Sequence, residues 1–295
     1  MNFIKHLLKS SKYHLREIYL YSIRKKTKLC YPNSKIDKNK ITLNYYDMNE
    51  HNLGDALSPI VVEYMLQRKG FSLEQLTTKT KNLYAIGSIL FKGYQDATVW
   101  GSGLLINPPN LPRDFLHTKF FRKLDIRCVR GPLTQEILKK RGFNCPSLYG
   151  DPGCLMPLIY FPKVEKQLDY LVIPHYVKEK EMRKLVPEQN LASMRTNDYK
   201  YVINKICSAK RVISSSLHGI ILAEAYGVPA IFYNDIEAGC DFKYADWYQS
   251  TGRTKWPAAT QLEEAITMDI ENSPPDLSEM QKQLINSFPY DLWEF

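Results

Sequence analysis

The sequence predicts an α/β protein made of two Rossmann-like halves. Short apolar runs rich in β-branched residues alternate with helical patterns along most of the 295 residues. Such alternation is typical of parallel sheets. The alternation stops near residues 160–168 and then resumes, which divides the elements into two series. We therefore expect a cleft between two halves, with ligands bound outside the carboxyl ends of the strands.

The first series contains four predicted strands and two predicted helices. Pro59 and Pro132 suit the first turn of a helix, and Gly70 and Gly142 suit helix ends. Small residues follow the later strands and leave room for a ligand. The predicted strands cover 41–46, 83–86, 98–100 and 124–129, and the predicted helices cover 58–68 and 132–141.

The second series contains the most informative segment of the chain, residues 211–233. This segment is predicted to form a strand, a serine turn, a helix that ends at Gly227, and a further strand. We expect Asn197 or Asp198 to cap the preceding helix, and the last helix to cross back onto the first half. The other predicted elements of this series are strands at 170–174 and 191–195 and helices at 178–185, 198–207 and 277–285.

The positive charge of the chain is confined to its N-terminal segment. The formal net charge is +9, and residues 1–40 hold 11 basic and 2 acidic residues, whereas the remainder is balanced. The body therefore shows no bias toward nucleic acid. Lysines recur at helical spacing beside an apolar stripe in this segment, which predicts a basic amphipathic helix at the inner face of an anionic membrane. A helix packed on its own domain is the alternative.

Targeting and redox signals favour a cytoplasmic protein at the membrane surface. No apolar run reaches the length of about 18 residues that predicts a spanning helix. Charges interrupt the apolar stretch at the N-terminus, unlike in a signal peptide. The six cysteines are scattered without a Cys-x-x-Cys pair, and we interpret them as reduced, mostly buried thiols.

The serine turn at residues 214–216 predicts an anion site beside an acid/base group. A turn that opens a helix presents backbone N–H groups to an anion, and the helix dipole favours negative charge there. His218 lies in the first helical turn, where an imidazole can transfer protons. A capping or surface histidine is the alternative. The predicted anion-site residues are Ser214, Ser215, Ser216, Leu217 and Gly219.

Other predicted turns at strand ends supply further candidates. Gly54 would allow close approach of a ligand, and Asp55 suits sugar hydroxyls or a helix cap. Arg127 and Arg130 suit carboxylate or phosphate groups, with surface ion pairs as the alternative. The remaining candidates are Asn52, Ser102, Gly103, Asp151 and His175. For Asp151, a role limited to capping a helix is the alternative.

Several enzyme classes lack their motifs in this chain. The Gly-x-Gly-x-x-Gly fingerprint, the Gly-x-x-x-x-Gly-Lys phosphate loop and the Gly-x-Ser-x-Gly elbow are all missing. The six histidines include no His-x-x-x-His pair, so we expect no metal site.

Seven motifs in a fixed order carry a family resemblance. They are Asn52-Leu-Gly-Asp-Ala-Leu-Ser-Pro59, Ala85-Ile-Gly-Ser88, Val99-Trp-Gly-Ser-Gly103, Val129-Arg-Gly-Pro-Leu-Thr134, Tyr149-Gly-Asp-Pro152, Ile173-Pro-His175 and Ser214-Ser-Ser-Leu-His-Gly219. Over about residues 41–250 they resemble the polysaccharide pyruvyltransferase family, particularly bacterial exopolysaccharide ketal-pyruvyltransferases.

The resemblance implies a GT-B-like fold and a defined reaction. Pyruvate would pass from phosphoenolpyruvate, a co-substrate with no further cofactor, to two hydroxyls of a sugar and form a cyclic ketal. The implied acceptor is a galactose-type or other hexose on a lipid-linked precursor. The implied domains are the basic segment 1–40, an acceptor-side domain 41–165 and a donor-side domain 166–295.

The resemblance also suggests roles for the candidates. His218 and Asp55 would be catalytic, and the serine turn with Arg130 and Arg127 would bind the donor. Some family members carry an arginine immediately before Leu-His, where this chain has Ser216. Arg127, Arg130, Arg211 or Lys243 would then supply the missing charge. The implied acceptor residues are Asn52, Gly54, Ser102, Gly103, Asp151 and His175. Asp151 could support the base instead of the acceptor.

Two other functions stay open on the sequence. A GT-B glycosyltransferase that uses a nucleotide sugar would share the two-domain cleft. A non-catalytic, membrane-docked subunit of a polysaccharide assembly complex would share the basic segment.

Overall fold

The structure, a computed structural model, describes seven ranges of the chain: 39–45, 52–77, 81–90, 96–105, 122–235, 241–270 and 274–294. Nearly all of the predicted basic segment 1–40 therefore lies outside the described residues, and so do Cys30 and Cys240. Within the described ranges, no helix is both long and apolar enough to cross a membrane.

The first half forms a four-stranded parallel sheet in the order β1-β2-β3-β4. Leu83 of β2 pairs with Leu43 on one side and Thr98 on the other. The register between β3 and β4 shifts between Val99 and Trp100, at the carboxyl end of β3. The strands are β1 (Ile41–Asn44), β2 (Lys81–Tyr84), β3 (Ala97–Trp100) and β4 (Leu124–Cys128).

The second half forms another four-stranded parallel sheet, in the order β5-β6-β7-β8. Every residue of β5, β6 and β7 is buried, as expected for parallel strands covered on both faces. The predicted α/β class with parallel sheets is thus confirmed, and the GT-B-like arrangement stays a prediction. The strands are β5 (Leu171–Ile173), β6 (Val212–Ser214), β7 (Ala230–Tyr233) and β8 (Ala258–Ala259).

The helices follow the strands in the alternating order that the sequence predicts. Asp198 caps α5 by accepting a hydrogen bond from the Tyr201 N–H at 3.0 Å. Gly227 follows α6 with a φ of +70°, a conformation that favours glycine. The helices are α1 (Leu53–Gln67), α2 (Pro132–Lys140), α3 (Met156–Ile159), α4 (Glu179–Met182), α5 (Tyr199–Ser208), α6 (Leu217–Ala225), α7 (Phe242–Ser250), α8 (Leu262–Thr267) and α9 (Ser278–Asn286).

Helix α1 begins five residues earlier than the sequence predicts. Leu53, Leu57 and Val61 are all fully buried and recur every four residues, so one continuous helical face packs into the core. Pro59 lies inside this helix rather than in its first turn. The start of α1 at Leu53 brings Gly54 and Asp55 into its first turn, which matters for the site below.

The strand predicted at 191–195 is wrong, because only one residue pair forms there. Leu191 makes an isolated bridge with Val172. The carbonyl of Met194 instead accepts a hydrogen bond from the Leu53 N–H at 2.8 Å, which satisfies one of the unpaired N–H groups at the start of α1. This bond links the second half to the first beside the candidate site.

The C-terminal residues contact the first half. Trp100 Nε1 donates to the Leu284 carbonyl at 3.0 Å, and its ring meets Phe288 edge-on with centroids 4.9 Å apart. The Tyr290 hydroxyl donates to the Met65 carbonyl at 2.8 Å. One hydrophobic cluster contains buried residues from both sheets and from this C-terminal segment.

Candidate active site

The candidate site lies where the serine turn after β6 meets the first turn of α1. A Cβ added to Gly54 would lie only 2.0 Å from Nδ1 of His218. Any larger residue at position 54 would therefore displace the imidazole. The contact explains why glycine is needed here and fixes His218 against the first half of the protein.

His218 also faces the carboxylate of Asp151. His218 Nε2 lies 3.7 Å from Asp151 Oδ2, and the two side chains are 11% and 1% exposed. Neither atom has a hydrogen-bond partner among the residues that the structure describes. The gap is slightly too long for a hydrogen bond, so the two groups are placed for an ion pair when the imidazole is protonated.

The turn at Gly150–Asp151–Pro152 holds the Asp151 carboxylate in place. Asp151 Oδ1 accepts a hydrogen bond from the Gly153 N–H at 2.9 Å, which caps the 3-10 helix Pro152–Leu155. The capping role that the sequence leaves open is thus real, but it occupies only one carboxylate oxygen. The other oxygen is left to face His218.

Asp55 adds a second buried carboxylate to the site. Its Oδ2 accepts a hydrogen bond from Asn52 Nδ2 at 2.7 Å. Burial raises the pKa of Asp55 to about 6, with Asp151 adding to the shift and His218 and Lys243 opposing it. A carboxyl group with such a pKa exchanges protons near neutral pH, as a catalytic acid or base must.

Gly87 makes room for this carboxylate at the end of β2. It has a φ of +111°, and a Cβ there would lie 2.5 Å from Asp55 Oδ1. Ser102 Oγ and the Gly103 N–H both donate to the Gly87 carbonyl, at 2.8 and 3.1 Å. Ser102 and Gly103, predicted as acceptor residues, therefore support the loop beside Asp55 through these bonds.

The three serines differ in what they can offer to a ligand. Ser214 Oγ accepts from the Ser216 N–H at 3.0 Å and lies 2.8 Å from the Ile173 carbonyl. Ser215 Oγ accepts from the His175 N–H at 2.9 Å. Both side chains are fully buried, whereas Ser216 is partly exposed. Ser214 and Ser215 shape the turn, and Ser216 is the serine that a ligand can reach.

The first turn of α6 has the features of an anion site. N–H groups at a helix start have no partner within their own helix, and those of α6 belong to Leu217, His218 and Gly219. A Cβ at Gly219 would lie 2.4 Å from Ser214 Oγ, so glycine lets this turn close tightly. The serine turn thus leads into a helix start with these N–H groups, and an anion site at this position stays a prediction.

Lys243 of α7 places a positive charge beside this turn. It is 8% exposed, and its charge acts on both Asp55 and His175. Burial and the neighbouring Lys243 lower the pKa of His175 to about 4, so the His175 imidazole is neutral at physiological pH. The next residue, Tyr244, donates its hydroxyl to the Ser215 carbonyl at 2.7 Å and ties α7 to the serine turn.

Arg130 forms a fully buried ion pair with Asp246 of α7. Their closest contact is 3.0 Å, and both side chains are 0% exposed. Arg130 also donates to Ser88 Oγ at 2.7 Å and to the Leu104 carbonyl at 2.6 Å. Asp246 in turn accepts from the N–H and hydroxyl of Thr134. These contacts join the end of β4 to α7.

The two remaining arginine candidates are engaged elsewhere. Arg127 contacts Asp125 at 2.8 Å and Asp291 at 2.9 Å in a partly exposed ion-pair cluster. Arg211, at the opposite end of β6 from the serine turn, donates to the carbonyl of Met268. The structure therefore gathers His218, Asp151, Asp55 and Lys243 at one place and leaves these two arginines outside it.

Sequence reasoning missed Asp246, which lies 116 residues from its partner Arg130. The feature that could have indicated Asp246 is its position three residues after the candidate Lys243, because residues three apart in a helix lie on the same face. No group of three or more histidine, cysteine or acidic side chains in the described ranges is placed to hold a metal ion.

Comparison with known proteins gives the family. Residues 13–235 match the sequence profile of a family described as polysaccharide pyruvyl transferase. The chain belongs to this family. The candidate-site residues from Asn52 to Gly219 lie within the match, and Lys243 of α7 lies beyond it.

Two curated relatives are similar to part of the chain. An uncharacterized protein, L143, of Acanthamoeba polyphaga mimivirus is 27% identical over 63% of this chain and 64% of its own length. The succinoglycan biosynthesis protein ExoV of Rhizobium meliloti is 29% identical over 56% of each chain. The chain thus matches less than two thirds of the length of these relatives. A solved structure of a functionally uncharacterized Klebsiella pneumoniae protein covers 76% of this chain and 94% of its own, with 13% identity and a TM-score of 0.47.

Proposed function

We propose that this protein transfers pyruvate from phosphoenolpyruvate to two hydroxyls of a hexose and forms a cyclic ketal. The observation that carries the proposal is the placement of His218 between a buried carboxylate and the start of α1, in the first turn of α6, whose N–H groups suit an anion. Acid/base groups and the proposed anion site thus lie close together. The family membership and the succinoglycan biosynthesis relative support the same chemistry.

The donor carries a carboxylate and a phosphate, so it needs an anion site and a cation. The first turn of α6 supplies N–H groups for one anionic group. Lys243 supplies the cation, in place of the arginine that some family members carry at the position of Ser216. Of the other candidates, Arg127 and Arg211 lie outside the cluster, and Arg130 is fully buried against Asp246.

The reaction requires two additions to the central carbon of the donor. In the first, the methylene carbon gains a proton and the central carbon gains an oxygen from one sugar hydroxyl, which loses its proton. In the second, another hydroxyl loses its proton and bonds to the same carbon, while the bond from that carbon to the phosphate oxygen breaks and inorganic phosphate leaves. His218, paired with Asp151, and Asp55 are the groups that accept and deliver these protons.

The acceptor would lie against the first-half side of the cleft. Asn52 and Asp55 sit in the loop before α1 and in its first turn, and their amide and carboxylate suit sugar hydroxyls. His175, with a neutral imidazole, follows β5 and lies near enough to Lys243 to feel its charge, so it is a further candidate for acceptor contact. A lipid-linked hexose, galactose-type or similar, fits the proposed location at the cytoplasmic face of an anionic membrane, which the basic segment 1–40 would contact.

The assay incubates the full chain with phosphoenolpyruvate and a synthetic galactoside, free and lipid-linked. The proposal expects the acceptor to gain the mass of a pyruvate ketal while phosphate is released in equal amount. Release of a nucleoside diphosphate from a nucleotide sugar would indicate a glycosyltransferase instead. No binding of phosphoenolpyruvate in calorimetry, with or without acceptor, would refute the proposal.

The membrane contact of the basic segment has a separate test. Deletion of residues 1–28 should lower co-sedimentation with anionic vesicles, because most of the excess positive charge lies there. Unchanged binding of the deletion variant would remove this segment from membrane association.

A further inference from the structure

An exposed apolar surface lies next to α5, away from the residues that the proposed reaction uses. Its apolar side chains are Phe161, Leu158 and Val164, which are 72%, 44% and 41% exposed. Three of the seven large apolar side chains that are exposed in the described ranges thus fall within seven residues. Clustered exposed apolar groups mark interaction sites more often than single ones do.

The protein presents this surface rigidly. The Tyr160 hydroxyl donates to Asn204 Oδ1 of α5 at 2.8 Å, and the Tyr226 hydroxyl donates to the Tyr160 carbonyl. The Phe161 ring rests on Tyr226 with centroids 6.1 Å apart, yet most of it stays exposed. Pro162 further restricts the backbone. Phe161 is therefore held outward by a fixed backbone.

Lysines surround the apolar side chains. Lys163 is exposed in the same segment, and Lys200 of α5 places its Nζ 5.6 Å from the centre of the Tyr160 ring. The side chain of Lys166 is also exposed in part, but its Nζ donates a hydrogen bond to the Ala209 carbonyl. Glu165 is the acidic residue among them. The surface is locally positive, although the body beyond residue 40 has balanced charge. Aromatic and aliphatic groups ringed by lysine match the headgroup region of an anionic bilayer.

We propose that Leu158, Phe161 and Val164, with Lys163, Lys166 and Lys200, form a surface that docks onto an anionic lipid bilayer. The apolar side chains enter the interfacial region, and Lys163 and Lys200 contact lipid phosphates while their aliphatic stems lie along the surface. Lys166 adds positive charge nearby, with its Nζ held by the Ala209 carbonyl. This 158–164 surface is separate from the basic segment 1–40 and does not depend on the proposed reaction. It would hold the body of the protein at the membrane in a fixed orientation.

The test measures co-sedimentation of the full chain with vesicles of phosphatidylcholine alone or with added phosphatidylglycerol. The variant Phe161→Ser/Lys163→Glu should bind the anionic vesicles about tenfold less tightly, since it loses one inserted ring and one phosphate contact. The matched control is Leu185→Ser/Lys184→Glu, at an equally exposed leucine (66%) and a neighbouring exposed lysine. Both variants keep residues 1–40, so a difference between them reports on the body of the protein.

Equal vesicle binding by the two variants would overturn the proposal. Light scattering in solution supplies the competing outcome. If Phe161→Ser/Lys163→Glu converts a dimer to a monomer and leaves vesicle binding unchanged, the 158–164 surface is a contact between copies of the chain and not a lipid-binding surface. A further readout is Phe161→Trp, whose added fluorescence should be quenched by brominated lipids, whereas that of Leu185→Trp should not.

Discussion

Replacing Asp151 with asparagine removes one charge from the site and leaves the local structure in place. Asparagine keeps an oxygen that can accept the Gly153 N–H bond now made by Oδ1. The side-chain volume hardly changes, so the buried position stays filled. What the variant loses is the negative charge that faces His218 Nε2 at 3.7 Å.

The size of the effect follows from this distance. When His218 accepts a proton, two opposite unit charges lie 3.7 Å apart with little solvent around them. At an effective dielectric constant of about 20, their attraction is about 4 kcal/mol, which corresponds to about 10³ in rate. The dipole of the asparagine side chain would replace part of this attraction, so we expect turnover to fall by roughly 10² to 10³.

The assay is release of phosphate at saturating phosphoenolpyruvate and acceptor, with circular dichroism and thermal unfolding to check the fold. The matched control is Asp198→Asn, which alters a helix cap of the same kind at the start of α5, on the surface and without a histidine. Turnover of the control should stay near that of the unmodified protein. Near-normal turnover of Asp151→Asn with a normal fold would show that the Asp151 charge does not assist His218.

Three further predictions test other contacts of the site. Gly54→Ala should abolish most turnover while secondary structure is kept, because the new methyl group would lie 2.0 Å from His218 Nδ1; normal turnover would mean that this placement of His218 is wrong. Lys243→Met should raise the Michaelis constant for phosphoenolpyruvate about tenfold or more, and Lys243→Arg should restore much of it, since charge-assisted contacts are the strong ones; equal constants in both variants would argue against a cation role. Asp55→Asn should change how stability depends on pH. Because folding raises the pKa of Asp55 from 3.8 to about 6, the folded state binds the proton more tightly than the unfolded chain. The Asp55 contribution is therefore fully present below pH 4 and is lost as the pH rises through 6, by about 3 kcal/mol of unfolding free energy. Denaturant titrations of both proteins between pH 4 and 7 should converge at low pH; a constant difference would contradict the shifted pKa.

Local sequence signals were sufficient for much of the second half. In residues 211–233, the β-branched run, the serine turn and Gly227 all favour the same structure, and the strand, turn and helix form where they predict. The prediction failed at 191–195, because the Met194 carbonyl bonds to the start of α1 and not to a neighbouring strand. That partner lies far away in the sequence, and no local pattern indicates it.

The site was predictable as a set of turns but not as a set of contacts. Asp151 carries an ordinary capping signal, and nothing in Gly150–Asp151–Pro152 shows that its second oxygen faces His218. Likewise, Arg130 suits an anionic ligand by its chemistry, yet its guanidinium is buried against Asp246. A charged side chain can stabilise the fold or act in the site, and its partner in the folded structure decides between the two. The spacing of residues along the chain does not reveal that partner.

The proposed source of the donor-binding charge would distinguish this chain from family members that carry an arginine before Leu-His. There the cation and the histidine would share one turn, so a single loop would fix both. Here Lys243 comes from α7, which is tied to the serine turn by Tyr244 and to the first half by the buried pair of Arg130 and Asp246. A buried ion pair adds little net stability but specifies one arrangement, because breaking it leaves an unpaired charge in the interior. The same pair that joins the two halves also holds α7, which carries Lys243, so donor binding by Lys243, as proposed, would depend on how the halves are packed.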